Sequence, residues 1–414
     1  MTRPVATTST ETEEFGMYGL PKKVKFCKRC TMNNQRPSST VEFKNKPGEL
    51  KRAIEFGEDG ICEACRFAER KKSIDWDDRK RQLKELCDRF RRNDGRFDCV
   101  VPGSGGKDSV MAAHVMKYEY NMNPITVTWP PQIYTRVGRR NFKAWLDDGF
   151  ANYSYHPNQK VHATLTRLAF ENLVHPFQPF ILGQKNLAPK MSIMLDIPLV
   201  IYGENEAEYG NAIEDNEKPV RDPKYYSADE RLDDIYLGGA AAKDLMKDYG
   251  FSLADLDAYL PANPYDLEKT GTEVHYLGYY LKWHPQETYY FSIENSDFLP
   301  NDFRTEGSFS KYSSLDDKID WLHYYTTYIK FGIGRATYDS SQEIRNGDLT
   351  RDEGISLIKR FDGEFPQIYL DDCLKYMGIN EERFHEVIEN ARTPHLWDQK
   401  NDDWELSHAI WRNK

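Results

Sequence analysis

Nowhere does the sequence run through the roughly 18 or more apolar residues that a helix needs to cross a bilayer, so no membrane insertion is expected. The opening residues, MTRPVATTSTETEEF, are polar and lack the apolar core of a signal peptide, which predicts a cytoplasmic protein. Positive charge is also short: 56 Lys and Arg stand against 66 Asp and Glu, a net charge of −10. That balance excludes a broad cationic face for nucleic-acid phosphates, and no nucleic-acid partner is expected. Cysteine is scarce, with seven in 414 residues, and in such a chain thiols or metal ligands are the expected use rather than a disulfide framework. No internal repeat is evident. What remains, 39% hydrophobic and 29% charged residues, suits a globular chain with a sizeable core and two or three domains.

One stretch organises the rest. Residues 97–109 read FDCVVPGSGGKDS, a short apolar β-forming run entering a Gly-rich turn, with good helix formers over 111–119. Ser104, Gly105 and Gly106 let successive backbone N–H groups face an anion beside the start of that helix. Neither G-x-x-x-x-G-K-[ST] nor G-x-G-x-x-G is present. Instead, Ser104-Gly105-Gly106-Lys107-Asp108-Ser109 resembles the S-G-G-x-D-S loop of the PP-loop ATP pyrophosphatases. The resemblance implies that ATP is cleaved between its α- and β-phosphates, with adenylation of a substrate oxygen. It assigns Ser104, Gly105, Gly106 and Ser109 to the leaving pyrophosphate, Asp108 to Mg²⁺ and Lys107 to charge neutralisation. The bland alternative is an ordinary strand-to-helix turn.

The remaining chain divides into a polar tail (1–18), a cysteine module (19–75), the loop's own domain (76–210), an insertion (211–301) and a C-terminal region (302–414). In the module, Cys27-Lys28-Arg29-Cys30 and Cys62-Glu63-Ala64-Cys65 are two C-x-x-C pairs 31 residues apart, a spacing that suits tetrahedral Zn²⁺ in a structural role. An iron–sulfur cluster is the rival for the same four thiolates. A charged helix is expected over 76–92. Strand-like and helical runs then alternate: 124–129 and 139–148, 151–155 and 160–173, 177–182 and 186–195, then 199–202. Such alternation predicts an α/β fold with a parallel sheet whose ligands lie beyond the strands' carboxyl ends.

The loops at those ends supply further candidates: Thr128 and Trp129 for an adenine pocket, Gly183 and Gln184, then Gly203 followed by Glu204, Asn205 and Glu206 for a metal or a substrate cation. In the insertion, Ser227-Ala228-Asp229-Glu230 is a capping box that predicts a helix, 253–259 reads as another, and the aromatic segment 276–291 offers Trp283 as a stacking surface for a sugar or base. Arg304, Lys311, Lys330, Arg335 and Arg345 lie among glycines at 307, 332 and 334 and are candidates to converge on phosphate or AMP. Helices are expected over 351–361 and 381–390, and Trp397, Trp404 and Trp411, seven apart, read as one helix face.

Taken together, TVTWPPQIYT, HPFQPFILGQ, YGENEAEYG and IKFGIGRATYDSSQEIRNG, with the cysteine pairs and the loop, resemble the N-acetyl sugar amidotransferases of bacterial surface-polysaccharide biosynthesis from Phe26 to about Pro366. The resemblance implies a parallel-sheet PP-loop domain of the adenine nucleotide alpha hydrolase type, a four-cysteine zinc module and a helical, aromatic C-terminal extension. It implies conversion of an N-acetyl group on a nucleotide-linked sugar to an acetamidine, in the making of lipopolysaccharide or a related glycan. Asp108, Lys107, Lys330 and Arg335 are then the catalytic candidates, and Glu204, Asn205, Glu206 and Trp283 the substrate-binding ones. Ammonia is expected from a separate class-I-type glutaminase subunit, because no cysteine here sits in a nucleophile elbow. The acidic 204–217 loop and the Trp-bearing C-terminus are the expected docking surfaces. Rival readings are a PP-loop tRNA thiolase and a non-catalytic zinc and nucleotide scaffold.

Overall fold

Short β-forming runs separated by amphipathic helices dictate a parallel sheet, and the computed structural model, which describes residues 15–38, 40–204, 217–401 and 403–412, has one. Its strands are β1 (Cys99–Pro102), β2 (Pro124–Thr128), β3 (Asn152–Ser154), β4 (Leu199–Tyr202) and β5 (Glu273–Tyr276), in the spatial order β3-β2-β1-β4-β5. All four pairings are parallel. Helices cover both faces, so the strand side chains alternate between two cores. Val100, Ile125, Val127 and Val200 join one with Leu165 and Met191, whereas Cys99, Val101, Leu199 and Ile201 join the other with Leu83, Val110 and Trp145.

The helices that matter to the site are α1 (Glu63–Lys71), α2 (Trp76–Phe90), α3 (Lys107–His114), α4 (Arg136–Asp147), α5 (Gln159–Leu173), α6 (Gln178–Leu195), α7 (Pro285–Asn295), α8 (Lys318–Phe331) and α9 (Arg335–Asn346). From β1 the chain runs outward through β2 and β3 on one side; β4 and β5 lie on the other. The direction of winding therefore reverses between β1 and β4, and the crevice at their carboxyl ends is where a sheet of this order takes its ligand. Both loops leaving those two strands were singled out by sequence. A third core unites the ends of the chain: the four module cysteines pack in one apolar cluster with Ile319, Leu322 and Ile329 of α8 and with Phe384. Among the described residues, no helix is long and apolar enough to cross a membrane.

Several local expectations are corrected. The run 177–182 is not a strand but the start of α6, where Pro179 is tolerated in the first turn and the apolar side chains bury along a helix face. The missing strand is β5, hidden in sequence by Glu273 and His275; the imidazole is buried between the Tyr280 hydroxyl at 2.7 Å and the Glu273 carboxylate at 3.0 Å. No helix opens at Ser227, because its hydroxyl donates to the Ala262 carbonyl at 3.0 Å instead of capping; capping boxes form instead at Ser252 with Asp255 and at Thr350 with Glu353. Trp397 and Trp404 lie on a hairpin, Trp397–Lys400 against Asp403–Leu406, and Trp411 follows in a short 3-10 turn. A seven-residue spacing fits two paired strands as well as it fits two helical turns.

Candidate functional site

The turn after β1 is built so that only glycine serves at its bend. Gly105 has φ +89°, and a Cβ there would lie 2.4 Å from the Asn141 carbonyl oxygen. Gly203, at the end of β4, meets the loop from the other side: its Cβ would sit 2.2 Å from the Asp108 carbonyl oxygen. Gly106 differs, since a Cβ on it would meet nothing within 4 Å. It is the N-cap of α3 and supplies no side-chain cap, an arrangement that leaves a helix's first amides for an outside partner such as an anion.

Around this turn the side chains are held in pairs. Ser104 Oγ donates to Asp316 Oδ2 at 2.8 Å, Ser109 Oγ to the Gly106 carbonyl at 2.8 Å, and Ser292 Oγ to the Lys107 carbonyl at 2.9 Å. The Lys107 ammonium lies 2.6 Å from Asp108 Oδ2, and the Trp283 indole N–H donates to Asp108 Oδ1 at 2.8 Å.

Two cavities share Ser104, Gly106 and Asp108. The first, about 150 Å³, is walled by Val127, Trp129, Phe180, Leu187 and Tyr202, with Gln184 and Glu204 at its polar edge. Trp129 stacks on Tyr155 with ring centroids 5.7 Å apart, and a Cβ on Gly183 would strike its indole at 2.0 Å. Gly183 thus contributes by being small, and Thr128 stands behind the wall, its hydroxyl accepting from Asn152 Nδ2 at 3.0 Å. The second cavity, about 190 Å³, is called the polar one for the charged and polar side chains it gathers, Lys107, Asn141, Tyr312, Asp316, Arg335, Asp339 and Glu343, which stand beside Pro285, Phe298 and Leu315. Arg335 Nε pairs with Asp339 Oδ1 at 3.1 Å. Glu343 accepts from the Tyr312 hydroxyl and from Gln286 Nε2, each at 2.8 Å; burial, with Asp348 alongside, pushes its carboxyl up to about 7. Burial likewise raises the Asp316 carboxyl.

Other sequence candidates lie elsewhere. Lys330 is buried away from the loop, donating to the Leu173 carbonyl at 2.7 Å, and burial pushes its ammonium well below the usual lysine range. Arg304 grips Glu364 through two bonds of 2.6 Å, and Lys311 donates to the Asp302 carbonyl at 3.1 Å. Trp283 is buried against Asp108 rather than presented as an open stacking face. Asn205 and Glu206, and most of the acidic 204–217 loop, fall outside the described residues. Sequence reasoning passed over Asp316, Asp339 and Glu343. The last two had a legible signal, because Arg335, Asp339 and Glu343 recur every four residues on one face of α9.

The four module cysteines converge. Their Sγ atoms all lie within 4.8 Å of one another and are fully buried, with Cys27–Cys65 at 3.8 Å and Cys30–Cys62 at 3.7 Å. A tetrahedron with Zn–S bonds near 2.3 Å has edges of about 3.8 Å, so the donor set fits that ion. Amides of Arg29, Met32 and Cys62 point at the sulfurs at 3.4–3.5 Å, as thiolates favour. The module is stitched to α9, where the Thr31 hydroxyl meets those of Ser340 at 3.0 Å and Ser341 at 2.9 Å.

Over 79 residues the chain is 29% identical to the uncharacterized protein MJ1599 of Methanocaldococcus jannaschii; the stretch covers 19% of this chain and only 28% of that protein. Residues 306–410, which carry Tyr312, Asp316, Arg335, Asp339 and Glu343 of the polar cavity, match the sequence model of the family described as "LPS biosynthesis protein WbpG-like, C-terminal domain". In that segment the chain is similar to proteins of lipopolysaccharide biosynthesis.

Proposed function

We propose that the chain is an ATP-dependent, AMP-forming amidotransferase that converts the N-acetyl group of a nucleotide-linked sugar to an acetamidine in lipopolysaccharide or related surface-glycan biosynthesis. One observation carries the reading. A glycine turn at the switch point of a parallel sheet opens onto an aromatic-walled cavity on one side and a cavity with clustered charged side chains on the other, and part of the wall of the second comes from the segment similar to a lipopolysaccharide biosynthesis domain.

In this reading the adenosine occupies the cavity of Trp129, Phe180, Leu187 and Tyr202, and the β- and γ-phosphates face the amides at Gly106 and the start of α3. Lys107 balances their charge. Mg²⁺ held by Asp108 would draw charge from the departing pyrophosphate. The sugar enters the polar cavity, where the hydroxyls and carboxylates of Tyr312, Asp339 and Glu343 offer partners for its own hydroxyls. An amide carbon resists ammonia because its oxygen leaves poorly; once that oxygen has taken the adenylyl group and pyrophosphate has gone, ammonia adds to the carbon and AMP departs. No protein nucleophile is needed.

The cysteines argue against the thiolase reading. All seven are buried and none lines either cavity; Cys99 lies within β1, where burial holds its thiol well above the usual range, and burial pushes Cys87 up to about 12. The test is mass spectrometry of UDP- and CMP-linked N-acetyl sugars incubated with protein, ATP, Mg²⁺ and an ammonium salt. Replacement of the amide oxygen by an imino group, with AMP and pyrophosphate formed in equal amount, is expected. ADP and inorganic phosphate as the primary products would overturn the reading.

A further inference from the structure

The carboxylate at the centre of the loop is held by distant parts of the chain. Trp283, 175 residues beyond Asp108, donates its indole N–H to Oδ1 at 2.8 Å and is only 2% exposed. The face of the same ring lies 5.2 Å from the Lys107 ammonium, which pairs with the other carboxylate oxygen. The Trp283 carbonyl accepts from Lys71 Nζ at 2.9 Å, and Lys71 is itself buried at the end of α1, the helix that carries Cys65.

We propose that Lys71 and Trp283 form a strut from the cysteine-bearing helix to the loop that fixes the direction of the Asp108 carboxylate, and so sets how tightly the loop takes Mg²⁺ together with a nucleotide. This rests on the reading of the loop as a Mg·ATP site. The chemistry of the donor is what the position needs. An indole N–H is neutral and donates only, so it orients the carboxylate without cancelling its charge or claiming a metal's ligand sites. Without it, Lys107 alone would govern the carboxylate, and a closed ammonium–carboxylate pair competes with a divalent cation. In the structure that pair is formed through Oδ2 alone; by holding Oδ1, Trp283 keeps the carboxylate from turning both oxygens to the ammonium, and its ring gives the ammonium a second partner when a cation displaces it. Lys71 fixes the backbone of residue 283 immediately ahead of α7, whose Ser292 in turn bonds the Lys107 carbonyl. Both are positioning residues, acting through Asp108.

The experiment is calorimetric titration of a non-hydrolysable ATP analogue at a series of Mg²⁺ concentrations, on the full-length protein and on Trp283→Phe, Lys71→Met, Asp108→Ala and the Trp283→Phe/Asp108→Ala double variant. Trp283→Phe keeps the ring and loses the donor. It should raise the Mg²⁺ concentration for half-maximal binding by about tenfold, the loss of one hydrogen bond to a charged group, while metal-free nucleotide binding stays unchanged. Lys71→Met should move the same parameter in the same direction, and in the Asp108→Ala background Trp283→Phe should have no further effect. The Trp283 indole N–H resonance should also shift in Asp108→Ala. Mg²⁺-dependent binding untouched by Trp283→Phe, or an equal effect with and without Asp108, would overturn the strut alone. Absence of any Mg²⁺-dependent nucleotide binding by the unaltered protein would overturn the reading of the loop, and the strut with it.

Discussion

Ser104, in the turn after β1, and Asp316, just ahead of α8, share a hydrogen bond of 2.8 Å across 212 residues of sequence. Asp316 is braced in turn by α4: its carbonyl accepts from the Thr135 amide at 3.0 Å, and Gly138 passes so close that a Cβ would stand 2.5 Å from the Asp316 Cα. The loop and the segment similar to a lipopolysaccharide biosynthesis domain therefore share one piece of backbone-supported geometry.

If that bond positions the loop, Ser104→Ala and Asp316→Ala should each lower kcat/KM about tenfold, and the double variant should lose no more than the worse single one. Steady-state kinetics on the four proteins of the cycle measure the coupling; strictly additive losses would show that the two side chains act separately.

Two glycines should respond in opposite ways. Gly183→Ala forces Trp129 out of its place, so both thermal stability and nucleotide affinity should fall. Gly106→Ala meets no protein atom and has an ordinary extended backbone, φ −74° and ψ 156°, so melting should be unchanged while nucleotide binding is lost to the methyl group on the open face. Thermal melts paired with nucleotide titrations separate the two.

How much of this was legible in the sequence follows from the range of the interactions. The strand-loop-helix around Ser104–Ser109 and the two C-x-x-C pairs are local signals, and residues within a few positions of each other carry them. Four of the five strands were legible for the same reason. The fifth, β5, was not, because Glu273 and His275 are polar in sequence and acceptable only once Tyr280 and Arg89 stand beside them. Asp316 gave no signal at all: its role exists only through Ser104 and α4. Trp283 was singled out for its ring, whereas the structure uses its N–H.

The cysteine module predicts a metal-dependent fold. One tightly bound Zn²⁺ per chain is expected by elemental analysis, and Cys62→Ser should melt well below the unaltered protein, by several kcal/mol of stability, because the four-cysteine cluster shares a core with α8. Stoichiometric iron with visible charge-transfer bands would assign the site to a cluster instead.

Glu343 should leave a mark on stability against pH. Its carboxyl is raised from the usual 4.5 to about 7 in the fold, so protonation favours the folded state: the contribution is complete below about pH 4.5 and is lost as pH rises through 7. Glu343→Gln removes this dependence, and denaturant unfolding should show the variant gaining up to about 3 kcal/mol on the unaltered protein between pH 5 and 8.5. Parallel curves for the two proteins would rule the shift out.

The purified chain should not release glutamate from glutamine, since all seven of its thiols are buried and none lines either cavity. Free ammonium at high concentration and raised pH should support turnover, and glutamine should do so only with a glutaminase subunit added. Glutamate release by the isolated chain in step with amidine formation would end the two-subunit reading.

The partner of Ser104 is made long after Ser104 itself. By the time Asp316 leaves the ribosome, β1 to β4 and the glycine turn have already been synthesised, and the polar cavity still awaits α9, which begins at Arg335. A growing chain thus holds the glycine turn with one wall of its cavity missing until α9 has followed, so the turn and the wall that faces it are assembled in two stages.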